Sequence, residues 1–364
     1  MEYNNPVEIQ YTNNWSDSLK ENQLSLDIKN PIIITSQGNK KRQNLNNKFN
    51  SNSIFSNIGE NPNFDDCANV IEFCRGGNYD SVIALGGGSV MDLAKVCLAY
   101  LSTDETDIVT LLQNKRSYKR SVKSIFLPTT HGTGSEVTMW GTIWDMTEKK
   151  KYSISHNELY PNIAILDGNL TVSLPIETSI ITLLDALSHS LESIWNKNAN
   201  DKSTEYAIEA ITIILSNIDL LKQNPVNLQV RNNLLKASTL AGLAFSNTKT
   251  AAAHSISYPL TIRFGIPHGI ASSLSLVPLL KLNGKHIKKA LDKIIQTLNI
   301  TYDEFIQKIQ EIPEDKIPFS LSAWGIQEND LPQLLKESFT KGRMDNNIID
   351  LNQLEINKIL YDIL

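Results

Sequence analysis

Cysteine is scarce: three residues in 364, Cys67, Cys74 and Cys97, with no Cys-x-x-Cys spacing among them. That argues against a disulfide framework and against a thiolate metal site, and three buried thiols are expected instead. No run reaches the roughly 18 apolar residues of a membrane-spanning helix, and the mean hydropathy is −0.21. Positive charge is not in surplus: 34 Lys and Arg against 39 Asp and Glu give a net charge of −5. A phosphate backbone needs a basic surface, so nucleic acid is not an expected partner, and neither is a membrane. The first residues, Met1-Glu2-Tyr3-Asn4-Asn5, lack the charged-then-apolar pattern of a secretory leader, and a cytoplasmic location is the expectation. No internal repeat is visible. Histidine is also sparse, with six residues, so the places where it falls carry information.

What is present is an ordinary globular composition, 41% hydrophobic and 20% charged, in a chain long enough for two domains at roughly 100–200 residues each. Up to residue 170, short apolar runs alternate with helical patterns. Residues 30–35 (NPIIIT), 81–85 (SVIAL), 124–127 and 163–166 (IAIL) read as strands, and 61–75 and 90–100 as helices. The alternation predicts a doubly wound, mostly parallel sheet. After Pro175 the texture changes. Residues 176–195, 202–221, 230–246, 269–282 and 288–298 carry helical spacing, and the tail from Leu351 reads as a weakly amphipathic helix. The Asn-rich stretch 44–52 reads as solvated surface. The expected layout is an α/β domain over residues 1–172 and an all-helical domain over 173–364.

Two loops at strand ends suit a phosphate-bearing ligand. Gly86-Gly87-Gly88-Ser89 joins the strand at 81–85 to the next helix. Glycine lets a backbone approach an anion, and a helix N-terminus adds free N–H groups and the positive end of a dipole. Ser89 has the chemistry of an N-cap, and Asp92 complements the dipole or faces the ligand. The second loop, Thr129-Thr130-His131-Gly132-Thr133-Gly134-Ser135-Glu136, follows the strand at 124–127. Either could be a plain polar turn. In the helical half, Asp185 and His189 are four apart and share a helix face, and His254 and His268 follow. One carboxylate with three imidazoles suits Fe2+ or Zn2+. A solvated Asp/His pair and a loop histidine are the plainer alternatives. His156 and His286 read as surface residues.

Together these residues resemble the iron-containing, metal-dependent alcohol dehydrogenase family over nearly the whole chain. Gly86-Gly87-Gly88-Ser89-Val90-Met91-Asp92-Leu93-Ala94-Lys95 is similar to its GGGSxxDxxK, and Pro128 through Glu136 to its PTTxGTGSE. Asp185-Ala186-Leu187-Ser188-His189-Ser190-Leu191-Glu192 is similar to its DALxHxxE, and His254 with Pro267-His268-Gly269 to its last two metal histidines. The resemblance implies the dehydroquinate synthase-like architecture: a dinucleotide-binding α/β domain and an all-α metal-binding domain, with cofactor and metal in the cleft between them. It implies Asp185, His189, His254 and His268 as ligands of Fe2+ or Zn2+. It places the pyrophosphate of NADPH or NADH on Gly87, Gly88 and Ser89, and puts Thr129, Thr130 and Thr133 along the cofactor crevice. Asn61 and Lys151 fall where the family contacts adenosine or ribose, and Asp92 belongs to the same cofactor-binding set. A homodimer is compatible with it.

The departures are informative. Tyr258 stands where the family usually has a second histidine near the nicotinamide, so proton transfer falls to Tyr258, a water or a ribose hydroxyl. Trp140 replaces an asparagine near the cofactor, His131 an alanine, Leu183 a glycine, and Asn346-Asn347-Ile348 an NPR segment. Where NAD-preferring members often carry an aspartate after the strand at 30–35, this chain has Ser36, with Lys40-Lys41-Arg42 nearby. The expectation is that NADPH is accepted and preferred. The chemistry implied is hydride transfer between a nicotinamide and a small alcohol or aldehyde polarised by a divalent metal. The stretches 257–269 and 341–347 are similar to a branch that reduces phosphonoacetaldehyde to 2-hydroxyethylphosphonate. Arg263, between two metal ligands in the chain, is the expected phosphonate-binding residue, with Arg343 as a second candidate. The alternatives are a general short-chain alcohol or lactaldehyde-type dehydrogenase, a dehydroquinate synthase-like lyase, whose lysine-rich active-site set is not found here, and a structural metal-binding protein.

Overall fold

The computed structural model describes residues 2–112, 117–145, 147–148 and 150–364. These form two compact units. One is built from residues 5–130 and 135–171, the other from 172–364 with two short pieces, residues 2–4 and 131–134.

The first unit is α/β. Its elements are β1 (Glu8–Tyr11), α1 (Trp15–Ser25), β2 (Pro31–Thr35), α2 (Gln37–Arg42), β3 (Ile54–Phe55), α3 (Phe64–Arg75), β4 (Ser81–Gly86), α4 (Gly88–Thr103), α5 (Ile108–Leu112), β5 (Lys123–Pro128), β6 (Trp140–Asp145), β7 (Lys150–Ser155) and β8 (Ile163–Leu166). Six strands make one sheet in the order β1-β8-β5-β4-β2-β3, and every pairing in it is parallel. β2, β4, β5 and β8 read as continuous apolar runs because both faces are covered. Ile32, Ile34, Val82, Ala84 and Phe126 pack against α3 and α4 on one face. Ile33, Ile83, Leu85, Ile125 and Leu127 pack with Trp15, Leu19 and Leu45 on the other. The period-2 geometry of a strand sorts these neighbours to opposite sides. All three cysteines are free and buried.

The sequence reading differs in places. The helix expected over 61–75 begins at Phe64, since Asn61 adopts φ 54° and Asn63 caps the helix in a capping box with Asp66. An antiparallel hairpin, β6–β7, was not expected: WGTIWD and KKYSIS carry no clean alternation. Ser89 is not the N-cap of α4, whose cap is Gly87. His156 is not a bare surface residue: it stacks on Tyr118 at 3.8 Å between ring centroids.

The second unit is helical: α6 (Ile176–Ile194), α7 (Asp201–Gln223), α8 (Leu228–Thr248), α9 (Ala252–Phe264), α10 (His268–Ser273), α11 (Leu276–Asn283), α12 (Lys288–Leu298), α13 (Tyr302–Glu311), α14 (Leu331–Glu337) and α15 (Gln353–Asp362). The helix expected over 269–282 is two helices. Ser273 Oγ bonds back to the Gly269 and Ile270 carbonyls, the local competition by which serine weakens a helix. The helix α9 was missed. It carries Pro259 in its interior, which removes a ladder hydrogen bond and reads as a break. No helix of the described residues is long and apolar enough to cross a membrane.

Candidate metal and cofactor sites

In the α/β unit, the loops that follow β2, β4 and β5 lie side by side because those strands are neighbours. Thr129 N–H donates to the Gly86 carbonyl at 3.1 Å, and Asn39 Nδ2 to Thr129 Oγ1 at 3.3 Å. A Cβ on Gly87 would stand 3.0 Å from the Thr130 methyl, so a side chain there would press on the neighbouring loop. No side chain caps α4, which leaves its first-turn amides at Gly88, Ser89 and Val90 to an anion. Asn61 N–H donates to Ser89 Oγ at 3.3 Å. Ser36 caps α2 by accepting from Asn39 N–H, and Arg42 Nη2 donates to Asn39 Oδ1 at 2.8 Å. The structure therefore gathers Ser36, Asn61, Gly87, Gly88, Ser89, Thr129 and Thr130 at the carboxyl ends of adjacent parallel strands, the usual place for a dinucleotide. Thr133 belongs to the helical unit.

Asp92 and Lys151 differ from the loop residues. Lys95 is fully buried and its Nζ donates to Ser135 O and Oγ, both at 2.8 Å, to Thr138 Oγ1 at 3.0 Å and to Trp140 O at 2.7 Å. Burial pushes the Asp92 carboxyl up and the Lys95 amine down, each opposed by the other's charge. The pair fastens α4 to the segment that continues the second loop. Lys151 faces Trp144 across the hairpin, its Nζ 5.5 Å from the ring centroid. Lys95 stood in the glycine motif but was not singled out as a site residue. Its signal was a lysine in the buried register of an apolar helix.

In the helical unit, α6 presents Asp185, His189 and Glu192 at i, i+4 and i+7, one face of the helix. A short reversal at Gly265 (φ 68°) and Pro267 turns the chain from α9 into α10 and brings His268 back toward α6. A side chain at position 269 would collide with the Ile181 carbonyl, so glycine is what lets α10 lie this close. The result is convergence on one oxygen. Asp185 Oδ1 lies 3.6 Å from His254 Nε2, 3.8 Å from His268 Nε2 and 3.9 Å from His189 Nε2. The ligand atoms of Asp185, His189 and His254 are all within 4.8 Å of one another, and these three residues are buried. His268 is the more open one, its side chain 28% exposed.

These residues fit a divalent cation. Metal–nitrogen bonds of about 2.1 Å put tetrahedral ligands roughly 3.4 Å apart, close to the spacing found. His254 Nε2 is buried with no hydrogen-bond partner among the described residues, which is costly for a polar atom that nothing satisfies. Its Nδ1 is 2.5 Å from Glu192 Oε2, and Glu192 Oε1 also accepts from the His254 backbone N–H at 3.1 Å. Glu192 thus fixes the ring and directs Nε2 inward, the outer-shell arrangement of metal-bound histidines. Burial opposes the charge on Asp185, but the His189, His254 and His268 imidazoles outweigh it and hold the carboxyl well below its usual range. Burial pushes His189 down to about 4, which keeps that ring neutral, as a ligand must be. Glu192 lies in the motif at 185–192 but outside the expected site residues. The i+7 carboxylate was its signal.

Arg263 is not where the sequence reading expected it. Nine residues after His254, it lies about 180° around α9, and it forms a two-point ion pair with Glu337 on α14 through Nε and Nη2. Tyr258, four residues after His254, shares that histidine's face of α9, and its Oη accepts from Arg343 Nε at 3.1 Å.

The comparisons agree with this picture. Residues 6–168 match the family model for iron-containing alcohol dehydrogenase, and residues 179–364 the model for the C-terminal domain of the same family. The chain is 30% identical to the long-chain-alcohol dehydrogenase 1 of Geobacillus thermodenitrificans over 304 residues, covering 80% of this chain and 76% of that one. It is 32% identical to the aldehyde-alcohol dehydrogenase of Streptococcus pneumoniae over 241 residues, which is 64% of this chain but 27% of that longer protein. The structure is similar to that of a sulfoacetaldehyde reductase from Bifidobacterium kashiwanohense in complex with NAD+, with a TM-score of 0.91, 25% identity and coverage of 100% of this chain and 98% of that one. With a glycine loop, a carboxylate–imidazole cluster and family models matching both units, the chain belongs to the iron-containing alcohol dehydrogenase family.

Proposed function

We propose that the chain reduces a small anionic aldehyde to its primary alcohol at the expense of NADPH, with phosphonoacetaldehyde, giving 2-hydroxyethylphosphonate, as the preferred substrate. In this reading residues 1–172 bind the dinucleotide and residues 173–364 carry the cation. The observation that carries the chemistry is the convergence of three imidazole nitrogens on Asp185 Oδ1. Asp185, His189, His254 and His268 hold the cation, Fe2+ by the family's habit and Zn2+ as the alternative. A divalent cation supplies Lewis acidity toward a substrate oxygen, and a nicotinamide supplies the hydride. The chain's own residues do the rest. The first-turn amides of α4 and the two glycine loops position the dinucleotide. Tyr258 offers its phenol as the proton donor to the oxygen as hydride reaches the carbonyl carbon. The cofactor preference rests on Ser36, which puts no carboxylate after β2, and on Arg42, held at Asn39.

Two things support an anionic substrate: the similarity of residues 341–347 to the phosphonoacetaldehyde-reducing branch, and the whole-chain likeness to a reductase whose aldehyde also ends in a tetrahedral oxyanion. A neutral-alcohol reading is favoured by the higher identity to a long-chain-alcohol dehydrogenase. The two separate in an NADPH-consumption assay of Fe2+-loaded protein with phosphonoacetaldehyde, sulfoacetaldehyde and propanal. The proposal expects kcat/KM at least about tenfold higher for phosphonoacetaldehyde than for propanal, the scale of one charge-assisted contact. Equal or better use of propanal supports the neutral reading.

A further inference from the structure

The geometry points to Arg343, held by Tyr258, as the residue that receives the anionic end of the substrate. This rests on the anionic-aldehyde reading and replaces Arg263 as the residue that would enforce it. Arg263 is spent on a carboxylate, and helical phase turns it away from His254. Arg343 is the opposite case. Its hydrogen-bond partners among the described residues are both neutral: Nε donates to Tyr258 Oη at 3.1 Å and Nη1 to the Gly342 carbonyl at 2.7 Å. Of its five N–H groups, three have no acceptor among the described residues. Gly342, whose carbonyl takes that bond, adopts φ 75°, a conformation that favours glycine.

The loop that carries Arg343 is fixed to the helix that carries a metal ligand. Thr340 N–H donates to Ser255 Oγ at 2.9 Å, and that hydroxyl donates to the Ser338 carbonyl at 2.5 Å. Asn346 Nδ2 donates to the Thr250 carbonyl at 2.9 Å, and Gly342 N–H to Asp345 Oδ1 at 2.6 Å. Ser255 is next to His254 in the chain, and Tyr258 is one turn beyond it on the same face. The guanidinium is therefore anchored, through the Tyr258 phenol, to the helix face that carries His254. A planar fork with paired N–H donors suits a phosphonate or sulfonate better than a point charge does.

The test uses Fe2+- and NADPH-loaded protein and methylphosphonate as the probe, with binding followed by calorimetry and by inhibition of propanal reduction. Methylphosphonate binds the natural protein, and Arg343→Gln weakens that binding at least tenfold. Arg343→Gln also lowers the ratio of kcat/KM for phosphonoacetaldehyde over propanal at least tenfold, and Arg343→Lys recovers part of both. Arg263→Ala leaves the ratio within about threefold of the natural protein. The assignment is overturned if Arg343→Gln keeps the ratio and the affinity, if Arg263→Ala loses them, or if methylphosphonate does not bind the natural protein. If the natural protein prefers propanal yet binds methylphosphonate through Arg343, the anion site stands and the substrate reading falls. If phosphonoacetaldehyde is preferred but the preference survives Arg343→Gln, the substrate reading stands and this assignment falls.

Discussion

Glu192 shows how much one buried carboxylate can do at this site. It accepts from the His254 ring and from the His254 backbone N–H, so it both orients that ring and satisfies a first-turn amide of α9. Outer-shell partners of this kind typically contribute 10–100-fold to metal affinity. We expect Glu192→Ala to weaken Fe2+ affinity by roughly that factor, measured by competition with a chromophoric chelator. Affinity equal to that of the natural protein would contradict the role. The proposed ligand residues stand out in the sequence, since Asp185 and His189 sit at helical spacing and His254 and His268 follow. Glu192 was on the same face at i+7, but its task depends on the first turn of α9 packing against α6, which no local pattern displays. Arg263 misled for the converse reason. It lies between two ligands in the chain, yet helical phase places it on the far side of α9, against Glu337.

At the scale of elements, the strands with continuous apolar runs and the long helices were readable because burial on both faces, or on one stripe, writes itself into composition. The β6–β7 hairpin, α9 and the α10–α11 break were not. Pro259 hides a helix that tertiary packing sustains, and the hairpin is held by groups distant in the chain. Lys95 is the clearest of these. Its buried ammonium joins α4 to residues 135–140, and it sits beside the half-buried Asp92. Removing one partner of a buried charged pair costs about 3 kcal/mol or more. Lys95→Met should therefore lower unfolding stability by about that amount in urea titrations, and raise KM for the nicotinamide more than it alters metal content. A variant as stable as the natural protein would show that Lys95 does not fasten these segments. At the end of β2, Arg42 is held on Asn39. Arg42→Ala should cut the preference for NADPH over NADH several-fold, read as the ratio of kcat/KM values. A natural protein that favours NADH would refute the premise.

For the whole molecule, the net charge of −5 gives an anionic aldehyde no long-range attraction, so any selectivity for it must come from local groups. The two-unit organisation was legible from the change of texture near Pro175, although the small piece 131–134 belongs with the helical unit, a crossing that no composition shift reveals. The central claim is that the Asp185 cluster binds a cation on which hydride transfer to an aldehyde depends. Chelator-stripped protein titrated anaerobically with Fe2+ tests it most directly, with NADPH consumption followed on an aldehyde that the loaded protein reduces. The account predicts negligible turnover in the stripped protein, recovery that saturates near one Fe2+ per chain, and no recovery in Asp185→Ala. Undiminished turnover in the stripped protein, or equal recovery in Asp185→Ala, would contradict it.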